Sequence, residues 1–103
     1  MMESQPLHMI ELRPDIPSLF RFLRVQGLDS ASDEDLGYGV HAWMAAAFGC
    51  RAPKPWRLFL DKRRPARILG YSACDAQALR EHMIEFADPS AFAVCPDPRY
   101  DIA

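Results

Sequence analysis

The sequence lacks the segments that mark exported, membrane-spanning and several enzyme classes. Residues 1–10 contain no basic region followed by an apolar stretch, so no secretory signal is predicted. No apolar run approaches the ~20 residues that a membrane span requires. The sequence also contains no glycine-rich phosphate loop, no nucleophile elbow and no HExxH zinc motif. We therefore expect a soluble, cytoplasmic protein that does not contact a membrane.

Cysteine is scarce, and its spacing does not suggest a metal site. Cys50, Cys74 and Cys95 form no CxxC pair. An odd number of cysteines without a signal peptide is typical of reduced thiols in the cytoplasm. Each cysteine is interpreted as a small buried hydrophobic residue rather than a nucleophile. We expect no metal and no cofactor.

Length and composition predict one globular domain. The chain has 103 residues, of which 50% are hydrophobic and 25% are charged. These are ordinary values for a folded protein, and the length fits a single domain. We place that domain at residues 1–103, with a core over residues 7–96 and flexible termini.

Positive charge is concentrated in one part of a chain whose formal net charge is −2. Seven of the twelve basic residues lie in segment 51–67, namely Arg51, Lys54, Arg57, Lys62, Arg63, Arg64 and Arg67. Only Asp61 opposes them in that segment. A local basic block can bind an anion or a phosphate backbone. The alternative is a solvated hairpin whose charge only maintains solubility.

Hydrophobic periodicity predicts an α+β fold, a single ferredoxin-like βαββαβ domain. Strands are predicted at residues 7–12, 56–61, 66–71 and 91–95. A short extra helix is predicted from Asp15 or Ser18 to Gly27, before a long helix over 36–48 and another over 76–86. Ser32 and Asp35 have the spacing of a capping box for the long helix. The tail from residue 96 is predicted to be loose.

The long helix carries the residues best suited to chemistry. Its predicted apolar stripe consists of Leu36, Val40, Trp43, Met44, Ala47 and Phe48. Tyr38 and His41 lie one turn apart, outside that stripe. Histidine transfers protons near neutral pH, and a tyrosine hydroxyl can orient a nucleophile or stabilise developing charge. Such a pair suits metal-free attack of an RNA 2′-hydroxyl on the adjacent phosphate, although the same spacing also arises by chance in many helices.

Several segments together resemble a known family. Leu36-Gly37-Tyr38-Gly39-Val40-His41-Ala42-Trp43-Met44, followed by Ala47-Phe48-Gly49, resembles the first long helix of the CasE-type CRISPR repeat-processing endoribonucleases of type I-E systems. Segments 10–12, 55–61 and 67–72 resemble the family's first, second and third strands. The resemblance covers most of residues 7–96. It corresponds to the N-terminal of the two ferredoxin-like (RRM-like) domains that the family carries in tandem.

The resemblance implies metal-independent cleavage of precursor CRISPR RNA beside a repeat hairpin, as part of antiviral defence. His41 would be the general acid or base, and Tyr38 would assist. The candidate RNA-binding residues are Arg57, Lys62, Arg63, Arg64 and Arg67. The implied partners are the repeat hairpin RNA and protein subunits of a CRISPR complex. A domain with half of the family's cleft is expected to bind RNA weakly or to need a partner.

Two other functions fit the same sequence. The first is a non-catalytic binding module that mimics a component of a CRISPR complex or inhibits the complex. The second is a stand-alone ferredoxin-like homodimer. In that case Phe59 and Tyr71, on the open face of the sheet, would form the interface, since a sheet covered on one side can bury the other against a partner.

Overall fold

The computed structural model describes residues 6–27 and 36–103, which form an α+β fold. This confirms the predicted class. The elements are β1 (His8–Leu12), α1 (Ile16–Val25), α2 (Leu36–Phe48), β2 (Trp56–Asp61), β3 (Arg64–Ser72), α3 (Ala76–Phe86), α4 (Pro89–Phe92) and α5 (Pro98–Asp101). A 3-10 turn, Gly49–Arg51, connects α2 to the loop before β2. The predicted capping box at Ser32 and Asp35 lies outside the described residues.

The helix boundaries follow local signals in the sequence. The Asp15 carboxylate caps α1 by accepting the backbone N–H of Ser18 at 3.1 Å. Gly27, just after α1, and Gly49, just after α2, have φ angles of 71° and 60°. These are left-handed conformations that glycine adopts without a steric penalty. Both predicted helix ends are therefore confirmed.

The three strands form an antiparallel sheet in the order β1-β3-β2. Ile10 and Trp56 both pair with Gly70, one on each side of the central strand. Ile10, Leu12 and Ile68 are buried, whereas residues at the alternate positions are more exposed. One face of the sheet therefore packs against the helices, and the opposite face is open.

The core lies between the helices and the covered face of the sheet, and α2 is its centre. The predicted apolar stripe of α2 is buried from Val40 onward, and Leu36 packs against it. Trp43 is fully buried, and its indole N–H donates to the carbonyl of Ala91 at 2.9 Å. Its ring meets Phe48 edge-on, with ring centroids 5.7 Å apart. Trp43 therefore joins α2 to α4.

The predicted strand at residues 91–95 is wrong. Residues 89–92 form α4, and a turn follows. The Asp88 carboxylate accepts the backbone N–H of Ala91 at 2.9 Å, and Pro89 occupies the first turn of α4. An Asp-Pro pair is a strong helix start. A short apolar run cannot by itself distinguish a strand from a buried helical turn.

The prediction of a loose tail after residue 96 is also wrong. Residues 98–101 form α5, and Ile102 is fully buried. The backbone of Ala103 exchanges two hydrogen bonds with Glu11, at 2.8 and 2.9 Å. The tail thus lies along the free edge of β1, but it forms only an isolated bridge there, between Leu12 and Ile102. Within the described residues the sheet has three strands rather than the predicted four.

Candidate functional site

His41 lies in a solvent-open cleft at the end of the helical layer. The cleft has a volume of about 220 Å³. It is lined by His41, Met44, Ala45, Gly49, Ala52, Pro53, Lys54 and Trp56. Both His41 and Lys54 are exposed. His41 and Lys54 therefore border the same small volume.

The loop that carries Lys54 is fixed to the end of β3. The hydroxyl of Ser72 donates to the carbonyl of Arg51 at 3.0 Å. The backbone N–H of Lys54 donates to the carbonyl of Tyr71 at 2.7 Å. The N–H of Tyr71 donates in return to the carbonyl of Pro55 at 3.3 Å. Because three bonds hold this loop, its position relative to α2 is set by the sheet.

Tyr38 is on the same side of α2 as His41, one turn earlier. It is 61% exposed and does not line the cleft. The helix thus presents both predicted residues to solvent, but the side chains do not converge on one enclosed volume. Tyr38 is placed to contact a ligand that extends beyond the cleft along the helix.

The predicted RNA-binding residues are divided among three places. Lys62 and Arg63 form the exposed turn of the β2–β3 hairpin, six residues or ~20 Å along the strand from Trp56 at the cleft. Arg57 and Arg67 are on the open face of the sheet, next to Leu69 and Phe59 respectively. Arg64 lines a second pocket, at the start of β3. The fold therefore does not gather these residues around His41.

The carboxylate of Glu11 pairs with two arginines, Arg13 and Arg67. Glu11 lies 2.7 Å from Nη2 of Arg13 and 3.7 Å from Nη1 of Arg67. The hydrogen bond that Arg13 Nε donates to Glu11 raises the pKa of Arg13 above its ordinary value. The guanidinium of Arg67 also lies over the ring of Phe59, 5.2 Å from its centroid. These contacts orient both guanidinium groups across the surface.

The other histidines have different surroundings. His8 is exposed at the start of β1. His82 lies on α3, with Nδ1 3.2 Å from the carbonyl of Ala47 and its ring 4.8 Å from that of Phe86. His82 therefore bridges α3 and α2, and its contacts are structural.

The cysteines do not share one environment, so the expectation that all are buried is wrong. Cys95 is buried, and desolvation raises the pKa of its thiol well above the usual range. Cys74 is half-buried and Cys50 is exposed.

No group of three or more His, Cys, Asp or Glu side chains in residues 6–27 and 36–103 is arranged to hold a metal ion. None of the helices in this described part of the chain is long and apolar enough to cross a membrane.

Sequence reasoning missed Lys54 as a member of the His41 cleft. Lys54 was counted only as part of the basic block, because it is far from His41 in sequence. The sequence signal for this position is Pro53-Lys54-Pro55, a rigid segment between a helix and a strand.

In comparisons with known proteins, the chain matches no family model, no curated protein and no solved structure.

Proposed function

We propose that this chain is an RNA-binding, RNA-processing domain similar to the N-terminal half of CasE-type endoribonucleases. The observation that carries the proposal is the cleft in which His41 and Lys54 open together onto solvent. Tyr38, exposed one turn away on α2, extends the same surface. The proposed substrate is a CRISPR repeat hairpin RNA, and the activity would be exercised in the cytoplasm.

The proposed chemistry is transesterification within the RNA strand. His41 takes the proton of a 2′-hydroxyl, whose oxygen attacks the adjacent phosphorus. The bond from phosphorus to the 5′-oxygen breaks, that oxygen takes a proton from water, and the protonated His41 returns its proton to solvent. The products are a 2′,3′-cyclic phosphate and a 5′-hydroxyl. The ammonium group of Lys54 is suited to the negative charge that develops on the phosphate, and Tyr38 to positioning the strand.

We also infer that the sheet is of the ferredoxin-like type. The order β1-β3-β2, with an αββα succession around it, is that of a split βαβ unit. In such a unit a final strand lies on the free edge of β1. The antiparallel bridge from Ile102 to Leu12 on that edge supports this inference.

The test is cleavage of labelled repeat RNA from the CRISPR arrays of the same genome. It is run with the chain alone and with the products of neighbouring genes. We expect His41→Ala to slow cleavage by about 10²–10⁴-fold, the usual contribution of a general acid or base. His8→Ala is the matched control, since His8 is exposed on β1 and does not line the cleft. If the wild-type mixture cuts no repeat RNA, the catalytic proposal is refuted.

The second candidate function is a binding module without catalysis, which mimics or inhibits a CRISPR complex. The position of Tyr38 outside the His41 cleft favours it, because the two side chains do not converge. Under this alternative, His41→Ala leaves complex formation unchanged and the wild-type protein shows no cleavage. Protein subunits of the complex would then co-purify with the chain.

A further inference from the structure

The open face of the sheet combines aromatic and cationic side chains. Its alternate positions hold Met9 and Glu11 on β1, Arg57 and Phe59 on β2, and Arg67, Leu69 and Tyr71 on β3. Tyr71 is 41% exposed and Met9, its partner across the β1–β3 ladder, is 62% exposed. Phe59 is partly covered by the guanidinium of Arg67. The face is thus not an apolar surface of the kind that closes against a hydrophobic partner.

Charge on this face is predominantly positive. Arg57 and Arg67 lie on it, and Arg13 joins them through the shared carboxylate of Glu11. Of the face positions before the irregularity between Phe59 and Asp61, Glu11 alone carries a carboxylate, so it offsets only part of this charge. Its two ion pairs hold Arg13 and Arg67, whereas Arg57 has no contact with Glu11 among the ion pairs of the described residues.

A pocket of about 460 Å³ continues the face at the start of β3. Arg13, Arg64, Arg67 and Tyr100 contribute to its walls. The volume is within the range of small-molecule sites. Three carboxylates also line it: Glu11 pairs with Arg13 and Arg67, Asp15 accepts the backbone N–H of Ser18 at 3.1 Å, and Asp101 accepts that of Asp97 at 2.9 Å.

We propose that single-stranded RNA binds along β3 on the open face, on the side of the sheet opposite the helices. One base stacks on the ring of Tyr71. A second stacks on the guanidinium of Arg67, which Phe59 supports from below. Phosphates pair with Arg57 and Arg64, and the pocket at Tyr100 receives the end of the bound segment. From Tyr71 to Arg64 the strand spans ~24 Å, the length of a few nucleotides.

The charge pattern favours RNA over a second copy of the chain. A face-to-face homodimer would bring the same arginines together, with one Glu11 per chain to compensate them. Like charges placed opposite each other oppose association. A polyanion with stacking bases satisfies both the cations and the aromatic rings. This inference deepens the proposed RNA contact and is independent of cleavage at His41.

The test is fluorescence anisotropy of a labelled ten-nucleotide oligouridine, which has no hairpin and no repeat sequence. We expect Tyr71→Ala to weaken binding about tenfold or more, since stacking on an aromatic side chain contributes strongly per base. Tyr71→Phe should restore binding. Arg57→Ala should reduce the slope of log affinity against log salt by about 0.7, the value for one phosphate contact on a single strand.

Arg24→Ala is the charge-matched control, because Arg24 is exposed on α1. The proposal is overturned if Tyr71→Ala binds oligouridine as the wild type does, or if Arg24→Ala weakens binding as much as Arg57→Ala. It is also overturned if the wild type sediments as a dimer that Tyr71→Ala dissociates. The His41→Ala variant should bind oligouridine normally. Loss of cleavage with retained binding would therefore separate the two surfaces, and normal thermal unfolding of each variant shows that it is folded.

Discussion

Replacement of Gly70 by alanine is expected to destabilise the protein by about 1–2 kcal/mol. A Cβ atom at Gly70 would lie 2.8 Å from Cβ of Pro53, 3.0 Å from the carbonyl oxygen of Pro55 and 3.0 Å from Cβ of Trp56. Carbon atoms at optimal separation are ~3.5–4.0 Å apart, so the added methyl group overlaps its neighbours. Those neighbours are backbone and proline atoms, which cannot rotate away.

The magnitude follows from two opposing effects. Overpacking of a filled site costs about 1–3 kcal/mol. Alanine also lowers the conformational entropy of the unfolded chain, which raises the free energy of unfolding by about 0.4–1 kcal/mol. Gly70 does not have a positive φ angle, so backbone strain does not enter the comparison. The loop that carries Lys54 must move to relieve the overlap, because Pro53 precedes Lys54 directly.

Two other glycines provide an internal scale for this measurement. At Gly37, no atom lies within 4 Å of the added Cβ, so alanine should stabilise α2 by about 0.5–1 kcal/mol. At Gly39, the contact is Cδ1 of Leu23 at 2.6 Å, the end of a flexible side chain. The stability of Gly39→Ala should therefore lie between the stabilities of Gly70→Ala and Gly37→Ala. Urea unfolding followed by tryptophan fluorescence gives the order, and a Gly70→Ala variant as stable as Gly37→Ala would refute the reasoning.

Three further predictions follow from the buried and capped groups. Trp43→Phe should lower the free energy of unfolding by about 1–3 kcal/mol in urea melts, because the buried carbonyl of Ala91 loses the indole donor and keeps the 3.3 Å bond from the backbone N–H of Val94; an unchanged midpoint would contradict this. In a thiol-reagent titration Cys50 should react rapidly and Cys95 only after unfolding, since burial raises the pKa of Cys95; equal rates in the native protein would be inconsistent with that burial. The hydrogen bond from the Ala91 N–H lowers the pKa of Asp88 below its ordinary value of 3.8. The ionised carboxylate therefore stabilises the fold at pH values above 3.8, and this stabilisation disappears as the pH falls through the lower pKa of the folded state. Asp88→Ala should therefore cost about 1 kcal/mol at pH 7 and progressively less in acid, and a cost that grows in acid would show the opposite linkage.

The elements whose signals are local could be predicted from the sequence. The α2 stripe has a sustained helical period, and the structure buries it from Val40 to Phe48. Strand β2 alternates, follows Pro55 and precedes a basic turn, and its predicted limits of 56 and 61 are confirmed. In both cases the evidence for the element is contained within its own residues.

The C-terminal part could not be predicted in the same way. The apolar run from Ala91 to Cys95 fits a strand and a buried turn equally well; the Asp88-Pro89 helix start precedes it, and the bond from Trp43 to Ala91 anchors the helical turn to α2. The pairing of Ala103 with Glu11 is similarly non-local. Burial of Ile102 depends on the whole core, and the tail itself contains no periodic pattern.

The candidate site likewise combines residues that local sequence signals predict with residues that only long-range contacts bring together. Tyr38 and His41 were found because one helix presents both. Lys54 was missed as their neighbour because a loop bonded to Tyr71 and Ser72 brings it to the cleft. The spread of the basic residues over the hairpin turn, the open face and the pocket at Arg64 likewise required the sheet register.

The most direct test of the central claim is the chemistry of the cleaved RNA ends. Labelled repeat RNA is incubated with the chain and its neighbouring gene products in excess chelator, and the product ends are identified by mass spectrometry. Transesterification at the His41 cleft predicts a 2′,3′-cyclic phosphate and a 5′-hydroxyl, present with wild type and His8→Ala and absent with His41→Ala. Products with a 5′-phosphate, or cyclic ends that persist in His41→Ala, would contradict the account.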